Sequence, residues 1–256
     1  MRNIKLTIEY DGTGYHGWQS QINAVAVQDV ITSGLKKLTG EAVSLSGASR
    51  TDTGVHAFGQ VANFFTASRI PADKFAFALN SMLPKDIVIR SSEEVGEDFH
   101  SRFSSTGKSY RYLFYNSAFP SALERHRAFH VLYPLDRAAM EEGAKYFLGT
   151  HDFRAFMATG SSVKTTVRTI NDISVRQLAG QWEGSRLQQP GAMLSMEIAG
   201  DGFLYNMVRI IAGTLVQVGA GKIKPEDVPG IIEAGDRKKA GKTAPAHGLY
   251  LLEVYY

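Results

Sequence analysis

Glu9-Tyr10-Asp11-Gly12-Thr13-Gly14-Tyr15 returns as Glu197-Ile198-Ala199-Gly200-Asp201-Gly202-Phe203, in register throughout. Three identities and a Tyr/Phe match in seven positions support a chain built as two related halves, although strand-to-helix junctions commonly use glycine. Leading into the first copy, Ile4, Leu6, Ile8 and Tyr10 alternate with Lys5, Thr7 and Glu9, the period of a half-buried strand. Leading into the second, Ala192, Leu194, Met196 and Ile198 share one face of a strand expected over 192–199. Helical spacing follows each copy: Val27, Val30, Ile31, Leu35 and Leu38 after the first, and an apolar helix expected over 203–218 after the second.

Further strands are expected at 42–47, 59–65, 86–90, 107–115, 167–178 and 250–255. A second helix starts at Pro71, a favoured first-turn residue, and buries Phe75, Leu79 and Met82. Asp136 caps a third, which buries Met140, Ala144, Phe147 and Leu148. The polar run 91–105 offers only Val95, Phe99 and Phe103 to a core, so it reads as an exposed loop or boundary. It divides the chain into halves at 1–105 and 106–256, each with strands and two helices, so the fold class is α+β with a largely antiparallel sheet.

A chain of 256 residues, 44% hydrophobic, has enough apolar surface for a core. The first residues contain no signal-peptide run, and the apolar segment 203–218 carries Arg209, so no membrane span is expected. Zero cysteines exclude disulfides, thiolate metal sites and a cysteine nucleophile. The expectation is a cytoplasmic protein. A net charge of +3 leans mildly toward polyanions. His126 and His130 have helical metal-ligand spacing, but no third ligand lies close in sequence, so no metal is expected.

Gly47-Ala48-Ser49-Arg50-Thr51-Asp52-Thr53-Gly54-Val55-His56-Ala57 places one carboxylate between an arginine and a histidine, with glycines bracketing the segment. A neighbouring guanidinium favours an ionised carboxylate, which suits Asp52 as a nucleophile or base rather than a general acid. The alternative is an Arg–Asp pair that pins a loop. In the apolar helix, Arg209 needs a carboxylate or a wet cleft, because an unpaired buried guanidinium is costly. Asp52 is an attractive partner; snorkelling to the surface is the other outcome. Lys108-Ser109-Tyr110-Arg111-Tyr112-Leu113-Phe114-Tyr115 interleaves rings with cations, a composition that suits RNA as well as ordinary strand packing. A non-catalytic RNA-binding or chaperone protein fits these surfaces, and a hydrolase using one carboxylate, such as a nucleosidase, is a second alternative; the latter normally needs another acid, and none stands beside Asp52 in sequence.

Taken together, these segments resemble the tRNA pseudouridine synthase A family over nearly the whole chain. The resemblance rests on Arg50-Thr51-Asp52 with Gly54-Val55-His56-Ala57, on Tyr110-Arg111-Tyr112, on Gly202 through Arg209, and on Ala244-Pro245-Ala246-His247-Gly248-Leu249. The opening Tyr10 through Gln19 is also similar. Ser49 and Thr53 depart from the family's usual glycine and alanine, and His247 stands where lysine or glutamate is usual.

The resemblance implies two α/β-sandwich halves sharing one largely antiparallel mixed sheet, with helices on one side and a basic active-site cleft. It implies isomerisation of uridine to pseudouridine in the anticodon stem and loop of tRNA, at tRNA positions 38–40, by a homodimer without cofactor or metal. By the same resemblance Asp52 is catalytic, Tyr110 stacks on the target base, Arg209 pairs with the aspartate, and Arg50 helps to prise out the nucleotide.

Overall fold

The computed structural model describes residues 1–160, 163–178 and 191–256. Its contacts divide the chain into two compact units, Met1–Lys108 with Tyr250–Tyr256, and Ser109–Leu249. In chain order the elements begin with β1 (Arg2–Tyr10), α1 (Val27–Thr39), β2 (Ser46–Gly47), β3 (His56–Thr66), α2 (Phe75–Asn80) and β4 (Ile87–Val95). They continue with β5 (Gly107–Asn116), β6 (Phe129–Val131), α3 (Arg137–Lys145), β7 (Gly149–Asp152), β8 (Val167–Gln177) and β9 (Ala192–Gly200). The last are α4 (Met207–Gly219), α5 (Val228–Ala234) and β10 (Leu249–Tyr255).

In the first unit the strand order is β4-β1-β3-β10. β1 runs antiparallel to β3, with Ile4 opposite Phe64, and antiparallel to β4, with Lys5 opposite Glu93. β10 is parallel to β3, pairing Tyr250 with His56. The alternation of β1 does what its period implies: Ile4, Leu6 and Ile8 are fully buried, as are the helical residues Ile31, Leu35, Phe75 and Leu79. α1 ends where Gly40 takes a left-handed conformation, φ 75°, and its amide bonds the Lys36 carbonyl.

Three expectations fail here. Residues 91–95 are not a loop but the second half of β4, held by Lys5–Glu93 and Arg2–Glu94 ion pairs at 2.8 and 2.9 Å. Met82 is exposed, because α2 stops at Asn80 and the chain turns before it reaches the core. The strand expected over 42–47 is reduced to Ser46–Gly47.

In the second unit β8 is antiparallel to β9, pairing Ile173 with Ile198, and antiparallel to β7. Its strand order is β5-β9-β8-β7, with β6 parallel to β5. Both units are therefore α+β with mixed, mostly antiparallel strands. Asp136 caps α3 as its sequence position implied, accepting the Ala139 amide at 3.0 Å. Phe147 is buried just beyond that helix, whereas Leu148 is exposed.

The apolar helix α4 starts at Met207, not 203, because Asn206 adopts a left-handed conformation (φ 61°) that interrupts the helix. Ile210, Ile211, Ala212 and Leu215 are fully buried. Its backbone also meets another backbone. A Cβ on Gly213 would overlap the Lys242 carbonyl, and one on Gly241 would lie 2.5 Å from the Gly213 carbonyl carbon. The Gly241 amide donates to Thr214 Oγ1 at 2.9 Å, and the Ala244 amide to the Arg209 carbonyl at 3.0 Å. The segment 241–244 is thus strapped to α4 at a separation only glycine allows.

Gly213→Ala should therefore destabilise the protein by about 1–3 kcal/mol, the usual range for forcing volume into a packed interior. Urea denaturation measures this against Gly230→Ala, where α5 leaves open space for the new methyl group and helix propensity favours alanine.

Candidate active site

The loop between β2 and β3 carries Asp52, which is half-buried, and Arg50, which is exposed. Such a loop leaves the sheet ladder, so its peptide groups need other partners. At its start the Ala48 amide donates to the Val61 carbonyl at 2.8 Å. The side-chain amide of Gln60, fully buried, then clamps Ser49 from both sides: its Oε1 accepts the Ser49 amide at 3.2 Å and its Nε2 donates to the Ser49 carbonyl at 2.7 Å. Thr51 shares a hydroxyl–hydroxyl bond of 2.7 Å with Tyr10, and its carbonyl accepts the Trp18 amide at 3.2 Å.

Beyond Asp52 the chain reverses. The Val55 amide donates to the Asp52 carbonyl at 3.1 Å, Gly54 takes φ 79°, and its amide donates to the Tyr15 carbonyl at 3.3 Å. Gly17, at φ 85°, approaches so closely that a Cβ would strike the Thr51 carbonyl. The conformation needs glycine twice over there, for its φ and for its missing side chain.

His56 is a supporting residue. It is buried and its ring stacks on Tyr250 with centroids 4.7 Å apart. The Gly12 amide donates to its Nδ1 at 3.1 Å, which requires that nitrogen to be unprotonated. Asp11 Oδ1 stands 3.2 Å from the same nitrogen, but that oxygen already accepts the Thr13 amide at 3.0 Å. These contacts fix the strand end to the turn after β1.

One cation reaches the loop from β5. Lys108 Nζ donates to the Ala48 carbonyl at 2.9 Å. Burial, and secondarily the charge of Arg102, push the Lys108 ammonium down to about 8.

In the unit Ser109–Leu249, Tyr110 lies on β5 with 7% of its surface exposed, its ring perpendicular to that of Phe203 at 5.1 Å. Arg111, on the other face, pairs with Glu197 at 2.7 Å. Arg209 is half-buried on α4. Its Nε donates to the Ala244 carbonyl at 2.8 Å and a terminal nitrogen to Asn206 Oδ1 at 2.7 Å. The left-handed Asn206 thus serves the guanidinium, turning its side chain onto the arginine three residues later. Tyr112 steadies the same strap, donating to the Pro245 carbonyl at 2.7 Å; burial raises its pKa, so it stays a neutral phenol.

The family profile described as tRNA pseudouridine synthase matches residues 6–104 and 144–256. The chain belongs to the tRNA pseudouridine synthase family. It therefore isomerises uridine to pseudouridine. tRNA pseudouridine synthase A of Acetivibrio thermocellus is 61% identical over 256 residues, and that of Ruminiclostridium cellulolyticum 57% identical. Both alignments cover 100% of this chain and 100% of the relative. The corresponding enzyme of Thermoanaerobacter sp. is 49% identical over the same span.

Among pseudouridine synthase loops, this one's departures are readily accommodated. Thr53 is exposed, and Ser49 is buried but engaged through its backbone by Gln60. Motif reading picked out Asp52, Arg50, Tyr110 and Arg209, included Tyr10 and Trp18 in the opening segment without giving them a role, and passed over Gln60. The signal for Gln60 was a polar residue between apolar neighbours in a mostly apolar strand.

The sign of the Lys108 effect on stability follows from its lowered pKa. An unfolded lysine holds its proton to roughly pH 10.5, so above about pH 8 the unfolded chain binds the extra proton. The cost of burying this cation is complete below about pH 8 and fades as pH rises beyond it. Lys108→Met removes both this cost and the bond to the Ala48 carbonyl, so its stability relative to the parent is expected to fall as pH rises from about 8 toward roughly 10. Urea titrations of both proteins across this range measure the difference.

Proposed function

We propose that this synthase acts on uridines of the tRNA anticodon stem and loop, at tRNA positions 38–40, with Asp52 as the catalytic carboxylate. The observation that carries the reading is the pinned loop. Asp52 is half-buried on a backbone fixed on both sides by Gln60, Tyr10, Trp18 and Tyr15, the preorganisation that a reacting group needs. Relatives along the whole chain are named tRNA pseudouridine synthase A, which supports tRNA as substrate. Cytoplasmic location and a homodimer complete the proposal. Among the described residues no helix is long and apolar enough to cross a membrane.

In the proposed reaction the N1–C1′ bond of uridine breaks, the uracil turns over, and C5 bonds to C1′. C5 gives up its proton and N1 gains one, so the product is an isomer. Asp52 starts the sequence by attacking C1′ or by removing the C2′ proton. A uridine in a stem is first flipped out, at a cost of a few kcal/mol. Tyr110 returns about 1–3 kcal/mol by stacking on the flipped base. Arg50 assists the extrusion and Arg209 supplies positive charge to the catalytic carboxylate. The buried rings of Tyr110 and Tyr112 support a site that keeps water from the detached base.

Two substitutions separate these roles. Asp52→Ala should abolish tritium release from C5-tritiated uridine in tRNA while leaving the tRNA Kd within a few-fold, because binding rests on phosphates and shape. Loss of affinity in step with activity makes Asp52 structural instead. Arg209→Met should lower turnover at least 100-fold but cost on the order of 2 kcal/mol in denaturation, the scale of its lost charged hydrogen bonds. Outright unfolding assigns the arginine to packing.

A further inference from the structure

Lys108 occupies an unfavourable place for a charge. Burial and the neighbouring Arg102 both disfavour its ammonium, whereas a methionine there would supply the same apolar stem without that cost. What the ammonium does contribute is one short bond, 2.9 Å, to the carbonyl of Ala48. Ala48 has 2% of its surface exposed, and its amide is engaged by Val61, so the peptide has little freedom to find a substitute donor. The next residue is the one clamped by Gln60, and Asp52 follows three residues after that.

We propose that Lys108 is a positioning residue for the isomerisation, fixing the start of the Asp52 loop through the Ala48 carbonyl. The inference rests on Asp52 being the catalytic carboxylate. Removing the donor leaves a buried carbonyl without its charged partner, and the loop shifts to find another. A displacement of about 1 Å at a reacting group costs on the order of 100-fold in rate. The lysine acts on the loop and not on the RNA, so the loss falls on kcat.

The test uses the full chain with tRNA, comparing Lys108→Met, Lys108→Gln, Lys108→Arg and Asp52→Ala. Single-turnover pseudouridine formation gives the chemical rate, and filter binding gives the tRNA Kd. The expected result is a loss of about 10–100-fold in rate for Lys108→Met, a Kd within about 2-fold of the parent, and recovery to within several-fold in Lys108→Arg. Should Lys108→Met fail to fold, Lys108→Gln carries the same comparison.

A parental rate in the folded neutral variant overturns the proposal. So does a Kd that weakens in step with the rate, with a salt slope reduced by about 1, since that marks a phosphate contact. Failure of Lys108→Arg to recover any rate also overturns it. An active Asp52→Ala instead removes the catalytic reading itself, whereas an inactive Asp52→Ala beside a fully active Lys108→Met rejects this inference alone.

Discussion

A peptide group that leaves a β-sheet and does not reach water must be hydrogen-bonded by something, and the loop from Ala48 to Val55 is organised around that requirement. Val61, Gln60, Trp18 and Tyr15 each answer a loop amide or carbonyl, and Lys108 answers the carbonyl of Ala48. Leaving one such group unsatisfied costs about 1–3 kcal/mol, so the loop has one well-satisfied arrangement and poor alternatives. Catalysis asks for the same property. A carboxylate that must meet one sugar carbon or one proton gains from a backbone that does not sample other positions.

The unit Ser109–Leu249 solves a related problem with a different device. There an arginine sits on an almost wholly apolar helix, and its guanidinium is served by Asn206 and the Ala244 carbonyl. Ala244 is in place because glycine at 213 and 241 lets two backbones approach within contact. Small residues at one point of the chain thus decide the orientation of a large cation elsewhere.

What could be read from the sequence follows from which interactions are local. β1 was legible because one face is buried and the other is polar, so its period of two appears in composition. β4 was half legible: Ile87 to Arg90 show a pattern, but Ser91 to Glu94 look like a loop until Lys5 and Arg2 are seen opposite them. Edge strands, wet on one side and paired by ions, have no apolar signature. α4 was recognised, yet its start was misplaced by four residues because the left-handed turn at Asn206 is a backbone event that apolar composition does not report. The short β6, β7 and α5 gave no period to detect. At the candidate site the motif residues stand out locally, whereas the groups that brace them lie far away in sequence. Tyr10 is 41 residues from Thr51, and Lys108 is 60 from Ala48.

The parallel pairing of β10 with β3 has a consequence for how this chain is made. Tyr250–Tyr256 belong with Met1–Lys108, and both the Tyr255 carbonyl and the Tyr256 hydroxyl reach back, to the Thr106 amide and the Ser101 carbonyl. On the ribosome these residues emerge only after all of Ser109–Leu249. The earlier-synthesised unit therefore spends most of translation with one flank of β3 waiting for its neighbour. Vectorial synthesis here inverts the usual order, so that the first part begun is the last part finished.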